Sequence, residues 1–328
     1  MMQTQGGNNS STMAYGILFS VIAIIALIVI VSFRSQADTS AQSASVVNAA
    51  PTVDTVYVSN TTGSGVSYGS GSATITVNEG SMFTLWVYGQ ATDNNGCTNI
   101  TAASSGSLKV YRTNVSSGSS CSVDNNDCYS KSLTSNPDYV EASCTGAADL
   151  VMNYETSMNF DYFVDPTDAG SPNAASNWTA AVTITDQSAA SGTGTTTFEV
   201  ASTVYLDVTS SVSYGSVALG ADSSQVTATL TNTGNYVINA NIKGNADMTC
   251  TGAGSSGIAI GNAHYSTSTG FAYAAGRALT TSDVLFGTKL AAKTTATSTE
   301  SVYWLLRMPS TGVGGSCSNT LTFTAVAG

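Results

Sequence analysis

The sequence predicts an all-β protein, two tandem β-sandwich modules that follow a single N-terminal transmembrane helix. Three observations carry this expectation. Beyond Pro51 apolar residues recur at every second position with Thr between them, the pattern of antiparallel sheets wet on one face. Met13 to Phe33 is a run of 21 residues without a charged side chain. Charges and cysteines divide unevenly about Ser202.

The elements follow in chain order. Residues 1–12 form a short polar tail without Lys or Arg. Residues 13–33 are long enough, at about 1.5 Å per residue, to span the roughly 30 Å of a bilayer core. A cleaved signal peptide carries a shorter apolar stretch, so an uncleaved signal-anchor is expected. Cleavage at Ala37, Ala44 or Ala49 is the alternative. Arg34 follows the span directly and argues weakly for a cytoplasmic C-terminal mass. Composition and cysteine usage argue for the reverse, a single-pass protein of the cell membrane with its C-terminal domains extracytoplasmic. Residues 34–50 are polar and small-residue-rich, as in a flexible linker.

Strand signals then repeat. Ala73, Ile75 and Val77 alternate with Thr, as do Trp178, Ala180, Val182 and Ile184, Val226, Ala228 and Leu230, and Leu321, Phe323 and Ala325. Phe83, Leu85 and Val87 alternate with Thr84, Trp86 and Tyr88, and Met158, Phe160, Tyr162 and Val164 with Asn159 and Asp161. Turn residues punctuate the runs, which suggests sandwiches. Residues 51–201 hold 14 acidic and 3 basic side chains, a net of −11, whereas 202–328 hold 5 of each. The expected modules are therefore an acidic one, 51–201, with a Cys-rich insertion, and a neutral one, 202–328.

Two runs resemble known families. VNEGSMFTLWVYGQATDNNGC, Val77 to Cys97, and NWTAAVTITDQSAASGT, Asn177 to Thr193, resemble the opening half and last hairpin of Ig-like repeats in bacterial surface proteins of the cadherin-like and polycystic-kidney-disease-like types. LDVTSSVSYGSVALGADSSQVTATLTNTGNYVINANI, Leu206 to Ile242, is similar to the start of the abnormal-spindle/hydin type of Ig-like module, with Tyr214 where that pattern has Phe. Both resemblances imply Ig-like β-sandwiches used in adhesion or assembly, and neither implies catalysis.

The cysteines divide into Cys97, Cys121, Cys128 and Cys144 in the first module and Cys250 and Cys317 in the second. Even counts in each fit disulfides formed in an oxidising compartment. Cys250–Cys317 is the one pairing available if bridges stay within modules. The other four cysteines allow three connectivities. Asp93-Asn94-Asn95-Gly96 and Asp124-Asn125-Asn126-Asp127 are turns rich in carboxylate oxygen, so Asp93, Asp124 and Asp127 are the candidate Ca²⁺ ligands. Ordinary Asx-turn chemistry explains the same residues, and neither turn has EF-hand spacing.

Further candidates each have a plain reading. His264 is the single His, so any Ser-His-Asp triad has to use it, and no nucleophile-elbow pattern is present. Asp161, Asp165 and Asp168 are the carboxylates a hydrolase would use, but Pro166 makes them read as a strand end and turn. Trp86, Tyr88 and Tyr111 form an outward aromatic patch for a glycan or protein partner unless an insertion covers them. Sequons stand at Asn8, Asn9, Asn60, Asn99, Asn114 and Asn177, as Asn, Ser and Thr content alone would produce.

Composition narrows the function. Only 9% of residues are charged and nine are Lys or Arg, never clustered, which excludes the basic patch that nucleic-acid binding needs. P-loop, dinucleotide and zinc-protease motifs are absent, and no cofactor is expected. The expectation is a non-enzymatic envelope protein with a structural or adhesive role. Its partners would be the membrane through the N-terminal helix, a surface protein or glycan, and itself. A pilin-like subunit of an extracellular filament is the alternative, ahead of an extracellular hydrolase.

Overall fold

A computed structural model describes residues 18–23, 25, 41–102, 106–115, 118–124, 126–134, 138–146, 148–209, 211–287 and 289–328. The chain forms two units, Met1–Val47 and Asn48–Gly328. In the first unit residues 18–23 and 25 are helical, and Leu18, Phe19, Val21, Ile22 and Ile25 are exposed. Residues 41–47 have no regular structure. Among the described residues no helix is long and apolar enough to cross a membrane. The structure therefore gives the expected signal-anchor no support, and most of the 13–33 span lies outside the described residues.

The second unit is all-β, and its strands up to Val200 share no sheet with those from Leu206 onward. The first half contains β1 (Thr52–Ser59), β2 (Thr74–Ile75), β3 (Phe83–Thr92), β4 (Gly106–Arg112), β5 (Cys128–Ser132), β6 (Tyr139–Val140), β7 (Val151–Phe160), β8 (Trp178–Thr185) and β9 (Ser191–Val200). One sheet has the order β1-β3-β7-β6 and the other β2-β9-β8-β4-β5. All pairs are antiparallel except β2 with β9. Leu85 and Val87 from the first sheet and Trp178, Val182 and Ile184 from the second belong to one buried apolar cluster. Burial of each such side chain contributes about 2 kcal/mol.

β9 reads Ser-Gly-Thr-Gly-Thr-Thr-Thr, a poor strand by propensity. Its glycines have a packing cause. A Cβ at Gly192 would strike the Pro51 carbonyl, and one at Gly194 would meet Val53 Cγ1 at 2.6 Å. The start of β1 thus lies against β9, and only glycine admits it.

The expected alternation through Val164 stops earlier. β7 ends at Phe160, and Val164 N–H donates to Asp161 C=O at 3.3 Å in a turn. Phe163 and Val164, adjacent in sequence, are then both buried, which a strand would not allow. Around Ala73–Val77 only Thr74–Ile75 is strand.

The expected aromatic patch is divided, with Tyr88 covered, Trp86 and Tyr111 half-buried, and Tyr111 on the other sheet. Tyr88 is fully buried beneath the turn Gly63–Val66, and its hydroxyl donates to Ser70 C=O at 2.7 Å. Tyr68 packs edge-on to the Tyr88 ring. The Glu155 carboxylate on β7 holds this flap by accepting Gly63 N–H at 2.6 Å.

The second half contains β10 (Leu206–Val208), β11 (Val226–Asn232), β12 (Ile238–Gly244), β13 (Thr249–Cys250), β14 (Ala263–Ser266), β15 (Arg277–Ala278), β16 (Val284–Leu285), β17 (Thr299–Leu306), β18 (Cys317–Ser318) and β19 (Leu321–Ala327). Its sheets are β10-β11-β17-β14-β15, β16-β12-β19 and β13-β18. Leu230, Ile242, Tyr265 and Trp304 belong to a separate apolar cluster. Between β10 and β11 the described residues form no strand, yet Val212 and Tyr214 pack on that cluster. Burial pushes the Tyr214 hydroxyl above its ordinary range.

Candidate functional site

All six cysteines are paired, as Cys97–Cys144, Cys121–Cys128 and Cys250–Cys317. The last joins neighbouring strands, because Cys250 on β13 is the register partner of Cys317 on β18. The first ties the turn after β3 to the segment before β7.

The three candidate calcium ligands fall in two places, Asp93 in one turn and Asp124 with Asp127 in another. Asp93 is fully buried, and its Oδ1 accepts Asn95 N–H at 2.7 Å. Its Oδ2 accepts Asn99 Nδ2 at 3.3 Å. Asp124 Oδ1 accepts the N–H groups of Asn126 and Asp127, each at 2.8 Å. Burial opposes ionisation of Asp124, but those N–H donors outweigh it and hold its carboxyl below the ordinary range. Asp127 moves the other way, raised by burial and then by the Asp124 charge. Its cation is Arg112, with Nη2 at 3.5 Å. Among the described residues no three His, Cys, Asp or Glu side chains converge as a metal requires.

Arg112 also ties down the carboxylates of the hydrolase reading. Its Nε lies 2.9 Å from Asp165 Oδ2, while Asn126 Nδ2 donates to Asp165 Oδ1 at 3.0 Å. Burial raises the Asp165 carboxyl, with Arg112 opposing. Asp168 Oδ1 accepts the Ser202 hydroxyl at 2.6 Å. Burial raises Asp161 as well, with the Lys293 charge opposing. Each of the three carboxylates thus serves a different local contact.

His264 is held by structure too. Its Nδ1 is 2.7 Å from Tyr273 C=O, and its ring stacks on the Tyr273 ring at 3.9 Å. Arg307 lies over the same ring at 3.9 Å and forms a two-pronged pair with Asp222. Among the described residues no Ser hydroxyl hydrogen-bonds the His264 ring. Three sequons are engaged, since Asn99 Nδ2 donates to Asp93, Asn177 Nδ2 to Glu199 and Asn114 Nδ2 to Ala175 C=O. Asn60 and Asn114 are exposed, while Asn8 and Asn9 lie outside the described residues.

The densest constellation is one that sequence reasoning took only for turn chemistry. Thr231-Asn232-Thr233-Gly234-Asn235 joins the two halves. Asn235 is buried, and its Oδ1 accepts Thr203 N–H at 2.7 Å and the Thr203 hydroxyl at 2.9 Å. Its Nδ2 donates to Ala201 C=O at 3.0 Å. Thr233 C=O accepts Gly80 N–H at 2.9 Å, and the Tyr236 hydroxyl donates to Gly170 C=O at 3.1 Å. A Cβ at Gly234 would strike the Thr203 carbonyl. Asn232 fixes the loop from within, with Nδ2 donating to the carbonyls of Tyr236, Leu290 and Ala291. Lys293 adds a cation–π contact, its ammonium 4.4 Å from the Phe163 ring centre. The Asp161–Gly170 turn is therefore the first half's side of a junction.

No family model and no curated protein matches the chain. Among solved structures it is similar to the chaperone–tip adhesion subunit pre-assembly complex of archaic chaperone-usher Csu pili from Acinetobacter baumannii. That likeness has 11% identity, covers 83% of this chain and 99% of that one, and has a TM-score of 0.33. Red sea bream transglutaminase aligns at 10% identity over 76% of this chain and 29% of its own, with a TM-score of 0.20. The secreted serine protease VesC of Vibrio cholerae aligns at 12% identity over 75% and 49%, with a TM-score of 0.18. Likenesses this low carry no argument about function.

Proposed function

We propose that this chain is an extracytoplasmic protein of the cell envelope with a structural or adhesive role, built as two tandem Ig-like sandwiches over 51–201 and 202–328. The pairing of all six cysteines carries the reading, because such bridges persist in oxidising compartments. Support also comes from Asp165, Asp168 and His264, each of which makes a folding contact through a polar side-chain atom. Loops and strand edges would then supply affinity. A filament subunit is the second reading, favoured by the regular edge strand Leu321–Ala327, which carries no Lys or Pro.

Immunogold electron microscopy of the native envelope tests both. Label spread over the outer face supports the structural or adhesive protein. Label running along fibres replaces it with the filament subunit. Label confined to the cytoplasm, with reduced thiols, overturns both.

A further inference from the structure

The second half ends a sheet at β19, which bonds to β12 on one side alone. The register decides which groups face outward. Asn245 N–H donates to Thr320 C=O, and Gly328 N–H to Val237 C=O. Alternation between these two pairs assigns Thr322, Thr324 and Val326 to the β12 ladder. The N–H and C=O groups of Leu321, Phe323, Ala325 and Ala327 then point away from β12. Across the seam, β10 forms no ladder with β19, and the described backbone of 211–219 makes no bond to it.

This edge lacks the usual guards. Edge strands are normally protected by Lys, Pro or a bulge, whereas β19 reads Leu-Thr-Phe-Thr-Ala-Val-Ala in regular register. A cavity of about 560 Å³ lies along the seam, between Val212 and Tyr214 and the residues Leu321 and Phe323, and one of about 620 Å³ adjoins it at Val212, Tyr214, Met248 and Asn319. Neither is lined by a charged residue. Charge also selects the occupant. Two acidic halves, each at −11, repel one another, whereas two neutral halves do not.

We propose that two copies of this chain associate through the open edge, β19 against β19, antiparallel about a two-fold axis at Thr324. This register sets Phe323 opposite Ala325 of the second copy and Leu321 opposite Ala327, the residues whose backbone groups face outward. Leu321, Phe323 and Ala325 are also the side chains packed on the core, so the two apolar faces join on one side. The three-stranded sheet becomes six-stranded. This inference goes beyond the envelope reading and does not rest on it.

The full chain with Thr324→Cys tests the register. No native thiol competes. At the axis the two positions form a non-hydrogen-bonded pair with Cα atoms about 4.5 Å apart, within disulfide reach. Mild oxidation is expected to give a covalent dimer for Thr324→Cys, and at least tenfold less for Thr322→Cys, whose counterpart is Val326. Adding Ala325→Pro removes one outward N–H without touching the β12 ladder, and is expected to cut the Thr324→Cys dimer at least tenfold. Unchanged melting of that variant shows that folding is intact. Equal cross-linking at 322 and 324, no dimer at 324, or a yield unchanged by Ala325→Pro in the folded protein overturns the proposal.

Discussion

The two halves of the β unit differ in net charge and in the number of disulfides that fasten them. The first carries a net of −11, yet meets several of its carboxylates with N–H groups, hydroxyls, Arg112 or Lys131. It fastens its insertion with two disulfides and covers Tyr88 with a pinned flap. The second is neutral, has one disulfide and leaves β19 without an outer neighbour. A charged surface keeps copies apart, whereas a neutral edge invites pairing. Taken with the proposed β19 pairing, the difference places repulsion and association in separate parts of one chain.

The largest effect that would break this comparison is loss of the second half's single bridge. Cys250 and Cys317 close a separation of 67 residues, so replacing both with Ala is expected to cost about 4 kcal/mol in the chain-entropy picture. Cys121 and Cys128 are 7 apart, and the same change there is expected to cost about 2 kcal/mol. Denaturant melts of the two variants check the order.

Asn235→Ala comes next. It leaves the buried Thr203 N–H and Ala201 C=O unpaired, at an expected cost of about 2 kcal/mol. Calorimetry is expected to show a melt that splits into two transitions, since the two apolar clusters then unfold independently. A single unshifted transition would remove the junction from the account.

Lys131→Met sharpens the electrostatic side. Asp138 is 2% exposed and lies 2.9 Å from Lys131 Nζ. Burial opposes its ionisation, but Thr156 and Lys131 outweigh that and hold its carboxyl below the ordinary range. A lowered folded value means that the stabilisation is complete above the ordinary carboxylate range and lost as pH falls through the lowered one. The variant is therefore expected to lose about 2 kcal/mol at pH 7, with the difference from the parent shrinking on acidification. Lys243→Ala, at the exposed pair with Asp283, is expected to cost about 0.5 kcal/mol or less.

Much of the strand content was legible in sequence. β8 and β11 follow the alternation closely, because each has one apolar face and Thr on the other. β9 was legible only through the resemblance of Asn177 to Thr193 to a last hairpin, since its glycines answer to Pro51 and Val53, which are far away in sequence. The run beyond Phe160 misled for a related reason. Phe163 and Val164 are buried by a turn that serves the junction, not by a strand. Among site residues, Asn235 was visible only as turn chemistry, and its partner Thr203 gave no signal. Arg112, which binds both Asp127 and Asp165, has no sequence pattern that reveals it.

The division of roles between the halves is tested most directly by amide hydrogen exchange on the full chain at low and high protein concentration. The account expects protection that rises with concentration at the outward N–H groups of Phe323 and Ala325, and none that changes across 51–201. Concentration-dependent protection in the acidic half, or none at β19, would contradict it.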